Sequence, residues 1–181
     1  IPLVGGKNAS LGEMVRERAG IAESDDAATS REKLAATLRE YVADAADRAW
    51  MEPRLAALLG LEAAPPGERE EFEAACRTFF ERVSELGTVV LVFEELQWAD
   101  PALLDFIETI TDRSRARPIL VVTLARPDLL ERRPTWGAGL RSFSNVPLDP
   151  LAPDEVEMLL VGLAPGLPAA AIAAIVARSE G

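Results

Sequence analysis

Two carboxylates, Glu94 and Glu95, close the apolar run Val89 to Phe93, and a hydroxyl and a guanidinium, Thr123 and Arg126, stand at the end of a second run, Ile119 to Leu124. The chain contains no histidine. That removes His-based triads, His general acids and most zinc or iron sites, and leaves catalysis to carboxylates, Arg or Lys. Carboxylate oxygens suit a hard cation such as Mg²⁺, which keeps much of its water shell and accepts a protein ligand directly or through water. A second carboxylate orients a water molecule, and a guanidinium forks onto phosphate oxygens. These are the parts that phosphoryl transfer to water requires.

The elements that must position them are strands. The run Val89-Val90-Leu91-Val92-Phe93 is apolar on both faces, so it reads as a strand buried on both sides of a parallel sheet. Two acids at the carboxyl end of such a strand are costly unless they serve there, and ligands of open α/β sheets bind outside those strand ends. Asp100 fits a helix cap and Pro101 a first turn, with Leu103, Leu104, Ile107 and Ile110 as the buried stripe. Strand, helix, strand at this spacing implies a right-handed parallel crossover, which sets Thr123 and Arg126 near the acid pair if the two strands are neighbours. A short third strand is expected at Asn145 to Leu148.

Helices fill the remainder. Glu68 to Leu86 carries Phe72, Cys76, Phe79, Val83 and Leu86 at spacings of four and three, with Gly87 expected to end it in the left-handed region. Its acids Glu68, Glu70, Glu71 and Glu73 read as a solvated first turn favoured by the helix dipole, in preference to a metal site. Upstream, Leu11, Met14, Val15 and Ala19 share one stripe, Ser30 resembles a cap for a helix with Leu34, Leu38, Tyr41 and Val42, and Trp50 to Leu61 follows with Pro53 in its first turn. Pro153 opens a helix with acids in its first turn, and Ala169 to Ala177 forms a small-residue helix suited to a lid.

With 181 residues the chain has about the length of one domain, and 49% hydrophobic residues exclude disorder. Its net charge of -11 argues against holding nucleic acid or an anionic membrane through bulk electrostatics. The single Cys76 has no internal disulfide partner, which fits a reducing cytoplasmic setting. No stretch approaches the ~20 apolar residues of a membrane span.

Apolar strand, acid pair and Leu96-Gln97-Trp98-Ala99-Asp100-Pro101 together resemble the Walker B segment of AAA-type signal-transduction ATPases, the STAND class, in particular the bacterial ATPase regions beside adenylate cyclase or transcription-regulator domains. The likeness continues through Pro118 to Pro127 and Glu131 to Gly137, and covers roughly Leu11 to Gly181. It implies an α/β fold: a truncated P-loop NTPase-like three-layer core, helix-rich, with a short parallel sheet of about three strands. It also implies ATP and Mg²⁺ as cofactors, with Glu94 on the metal side, Glu95 as the water-orienting base, Arg126 as a sensor of the terminal phosphate and Thr123 beside the nucleotide. Glutamates stand where aspartates are usual, and a longer arm misplaced by about 1 Å can cost ~100-fold in rate. For Arg126 the alternative is an ordinary surface arginine before Pro127.

On this resemblance residues 11–67 form a helical segment, 68–150 the ATPase core and 151–181 the start of a helical lid, with 1–10 a junction or disordered tail. The chain starts without methionine and stops at Ser179-Glu180-Gly181, so it reads as a fragment. Gly5-Gly6-Lys7 fails the P-loop pattern, because Ile1 and Asn8 occupy positions that need Gly and Ser or Thr. The P-loop strand is therefore missing, the 181 residues alone are expected to be inactive, and exposed sheet edges invite self-association. The expected partners are ATP and an effector domain of the same polypeptide, with neither nucleic acid nor membrane bound directly. Val4 to Met14 also looks like the opening of phosphoenolpyruvate synthase and pyruvate phosphate dikinase, which leaves an ATP-grasp remnant as one alternative. A non-catalytic α/β interaction module is the other.

Overall fold

Proline, aspartate and the apolar stripes decide where the elements begin. The computed structural model describes residues 2–5 by backbone, and 11–63 and 69–179 fully. The chain divides into two units, Ile1–Ser142 and Phe143–Gly181.

In the first unit, α1 (Leu11–Arg18) buries Met14 and Val15 completely. α2 (Ala27–Tyr41) starts at Asp26, whose carboxylate accepts from Thr29 N at 2.7 Å. The expected cap, Ser30, lies instead one turn inside the helix and is buried, because the Asp26 carboxylate already takes a free amide of the first turn. α3 (Ala45–Leu58) likewise starts early, capped by Asp44 on Ala46 N and Asp47 N, so Pro53 falls inside the helix and not in its first turn. α4 (Arg69–Ser84) buries Cys76, Phe79, Phe80 and Val83. It stops short of Leu86, which is 71% exposed, and Gly87 does not adopt the positive φ expected of it. α2 packs on α3 and α3 on α4, where Arg82 pairs with Asp47 at 3.0 Å and Arg54 pairs with Glu71.

The sheet follows. β2 (Val89–Phe93) and β3 (Ile119–Thr123) pair in parallel with Val89 opposite Ile119 and Phe93 opposite Thr123. Pro2–Gly5, assigned from sequence to a junction or tail, forms β1, whose backbone runs parallel along the other edge of β2 with Gly5 opposite Phe93. α5 (Pro101–Arg113) connects β2 to β3, with Pro101 in its first turn and Asp100 accepting from Leu103 N at 2.8 Å, as the sequence indicates. α6 (Asp128–Arg132) lies against the turn after β2.

Burial is one-sided. Val89, Leu91 and Phe93 are buried at 1% exposure or less, whereas Val90 and Val92 are half-buried, and on β3 Leu120 and Val122 are 55% and 37% exposed. Partners in register share a face, so the face of Val89, Leu91, Phe93, Ile119 and Val121 meets the core, and the opposite face carries an open apolar patch. The expectation of a strand sealed on both sides therefore holds on one side only. β3 has a strand neighbour on one edge among the described residues.

In the second unit, α7 (Pro153–Leu163) and α8 (Ala169–Val176) pack on each other. Glu155 reaches back to Ala152 N at 2.8 Å and closes the start of α7. The third strand expected at Asn145 to Leu148 is not formed: this stretch pairs with no strand among the described residues, and Val146 and Leu148 are 72% and 85% exposed. Pro147 in its middle has no N–H to give a ladder.

Candidate functional site

The acid pair sits where β2 runs out. Glu94 is exposed, and its carboxylate has no hydrogen bond or ion pair among the described residues. Glu95 is half-buried and turns the chain sharply: at φ 58°, ψ 36° it is the single non-glycine residue with positive φ among the described residues. The left-handed region costs an ordinary side chain on the order of 1–2 kcal/mol, and such strain collects at functional turns. A 3-10 turn, Leu96–Trp98, follows at once, closed by Trp98 N to Glu95 O at 2.9 Å.

Three hydrogen bonds hold this turn against the end of β3. Leu124 N donates to Phe93 O at 2.8 Å and Leu96 N to Leu124 O at 3.1 Å. Beyond them, Arg126 N donates to Gln97 Oε1 at 3.1 Å. The amide of Gln97, 3% exposed, uses its other end to donate from Nε2 to Glu95 Oε2 at 3.1 Å. An N–H only donates and a carboxylate only accepts, so this pair of partners fixes which way the amide faces. Arg132 on α6 donates to Gln97 O and, at 3.3 Å, to Ala99 O, which satisfies carbonyls that the tight turn leaves free. Arg133 pairs with Asp105 and, at 3.1 Å, with Glu108 on α5, and Gly137 N donates to Glu108 Oε1 at 3.2 Å. The hydrogen bond to Asp105, first among the causes, raises the pKa of Arg133 above the ordinary guanidinium value.

The structure brings Glu94, Glu95, Thr123 and Arg126 to the carboxyl rim of two adjacent parallel strands. Thr123 is half-buried, level with Phe93, and its hydroxyl has no partner among the described residues. Arg126 is exposed, tethered by its backbone, with its guanidinium unpaired among the described residues. Trp98 is 71% exposed and contributes backbone to the turn, whereas Trp136 packs against the core as a loop aromatic should. Gln97 and Arg132 were missed. A lone glutamine carries no periodic signal, and nothing local distinguishes Arg132 from the chain's other arginines.

No cluster of three or more His, Cys, Asp or Glu side chains able to hold a metal exists among the described residues. A cation here would rest on one or two carboxylates and take its remaining ligands from water and phosphate oxygens, which is how Mg²⁺ is commonly bound beside nucleotides. The donor set thus fits Mg²⁺ with a phosphate ligand. A hollow of about 650 Å³ opens elsewhere, between α5 and residues 135–140, and Glu94, Glu95 and Arg126 do not line it. Among the described residues no helix is long and apolar enough to cross a membrane.

Compared with known proteins, residues 10–122 match the model of a family described as AAA ATPase domain. The matched stretch takes in Glu94 and Glu95 and ends just before Thr123 and Arg126. No curated protein and no solved structure matched the chain.

Proposed function

The chain belongs to the AAA ATPase domain family, and from that premise we propose that it is part of the nucleotide-binding domain of a regulatory ATPase of the STAND class, whose ATP state switches an effector domain of the same polypeptide in signalling or transcription control. The observation that carries this reading is the shared rim of Glu94, Glu95 and Arg126 on adjacent parallel strands. In it, Glu94 would hold Mg²⁺ directly or through water. Mg²⁺, when bound, neutralises phosphate charge. Glu95 orients the attacking water and receives its proton, at an angle set by the left-handed turn. Arg126, its guanidinium unpaired among the described residues and its backbone tethered, reads the terminal phosphate, with Thr123 beside it. The 181 residues contain no Gly-x-x-x-x-Gly-Lys-Ser/Thr run, so this reading gives them the acid and arginine side of the site and no hydrolysis by themselves.

A second reading, a non-catalytic interaction module, draws on the open apolar face of Leu120 and Val122 and the edge of β3 that has no strand neighbour among the described residues. Calorimetric titration of ATP into the full-length polypeptide separates the two. The ATPase reading expects Mg²⁺-dependent binding, weakened about tenfold or more by Arg126→Ala, since a charge-assisted fork is worth roughly 1.5–3 kcal/mol. It also expects Glu95→Gln to bind ATP normally and lose turnover. A folded protein that binds no nucleotide is the interaction module, and undiminished turnover in Glu95→Gln removes Glu95 from the chemistry.

A further inference from the structure

Among the described residues no hydrogen bond or ion pair joins the carboxylate proposed as the base to the arginine proposed as the phosphate sensor, yet one buried side chain bonds to both segments. Gln97 Nε2 donates to Glu95 Oε2 at 3.1 Å, and Gln97 Oε1 accepts from Arg126 N, also at 3.1 Å. The residue is 3% exposed, and its own carbonyl is held by Arg132. A buried primary amide is costly unless both ends are satisfied. Here both are, and the two satisfying partners lie on opposite sides of the gap between β2 and β3. Glu95 has no other hydrogen bond to its carboxylate among the described residues, and its left-handed backbone leaves the side chain without the support of a regular element.

We propose that Gln97 is a positioning residue that ties the Glu95 carboxylate to the backbone of Arg126, so that the place of the sensor arginine sets the place of the base. The inference rests on the ATPase reading above. Displacement of the Arg126 backbone shifts the Gln97 acceptor, the amide turns as a rigid plane, and its donor moves with respect to Glu95. Binding at the arginine is thereby transmitted to the base through one planar group, with no other part of the fold rearranged.

The test uses the full-length polypeptide and two substitutions. Gln97→Met keeps the volume and removes both bonds. Gln97→Glu keeps an acceptor for Arg126 N and sets a like charge against Glu95. Both are expected to lower kcat by ~10- to 100-fold, the cost of a misplacement of about 1 Å, with KM for ATP changed by less than about twofold. Amide hydrogen exchange reads the other half. Arg126 N–H exchanges faster in Gln97→Met and stays protected in Gln97→Glu, while Leu124 N–H, bonded to Phe93 O, stays protected in both and reports an intact strand pair. In a Glu95→Gln background Gln97→Met lowers residual turnover no further. An equal fall in both backgrounds, or wild-type kcat in the Gln97 variants while Glu95→Gln is dead, overturns the positioning role alone. Wild-type turnover in Glu95→Gln overturns the ATPase reading and this inference together. Loss of Leu124 protection in Gln97→Met assigns that residue to strand pairing, and then wild-type kcat in Gln97→Glu overturns the proposal.

Discussion

The backbone N–H of Arg126 donates to the side-chain oxygen of Gln97 at 3.1 Å, a bond between residues 29 positions apart that docks the end of β3 on the turn closing β2. The acid turn is thus supported from the neighbouring strand as well as by its own chain, which is what a carboxylate aimed at a reacting atom requires.

The left-handed backbone of Glu95 makes the ordinary ranking of small residues reverse at this position. Glu95→Ala and Glu95→Gly both delete the carboxylate and release Gln97 Nε2, so the difference between them isolates the backbone. Glycine adopts φ near 58° without a Cβ clash. Glu95→Gly is expected to unfold in urea at a higher midpoint than Glu95→Ala, by an amount equivalent to about 1 kcal/mol. The same order as elsewhere in a chain, Ala above Gly, contradicts the strained turn.

One-sided burial of the sheet gives a paired prediction. Leu91 is fully buried, and Leu91→Ala is expected to cost about 2–5 kcal/mol through lost transfer energy and the cavity left behind. Leu120 on the adjacent strand is 55% exposed, and Leu120→Ala should cost below about 1 kcal/mol. Equal losses in a denaturant titration would mean that the outer face is covered.

Cys76 belongs to the buried face of α4 with no exposed surface to speak of, and burial pushes its thiol up from 9.0 to about 12, with Glu73 nearby adding to the shift. The folded protein therefore holds the thiol proton where the unfolded chain has released it. Stability is unaffected by this group below pH about 9 and falls as pH rises from there towards 12. Unfolding measured across that range should fall less steeply for Cys76→Ala than for the wild type, and a thiol reagent should label Cys76 at neutral pH only on unfolding. Rapid labelling of the native protein would place the sulfur at the surface.

Much of this architecture is legible in local sequence. Pro101 and Asp100 start α5 because a proline lacks the N–H that a first turn leaves spare and an aspartate accepts from the amides that remain. The apolar runs that become β2 and β3 announce themselves by composition. Errors arose where two local signals competed. Ser30 and Asp26 both resemble caps, and the earlier one starts the helix. Pro53 suits a first turn, yet the Asp44 cap carries the helix through it. Asn145 to Leu148 has strand-like flanks around a proline that cannot pair.

By itself the sequence determined that two apolar strands end in an acid pair and in an arginine, since strand propensity, capping and turn chemistry act over a few neighbouring residues. Tertiary structure alone decided that those ends share one rim, that one sheet face stays open, and that Gln97 rather than either acid is the buried polar centre. Those outcomes depend on which distant groups desolvate one another, and a hydrogen bond across 29 residues leaves no periodic trace in the chain that makes it.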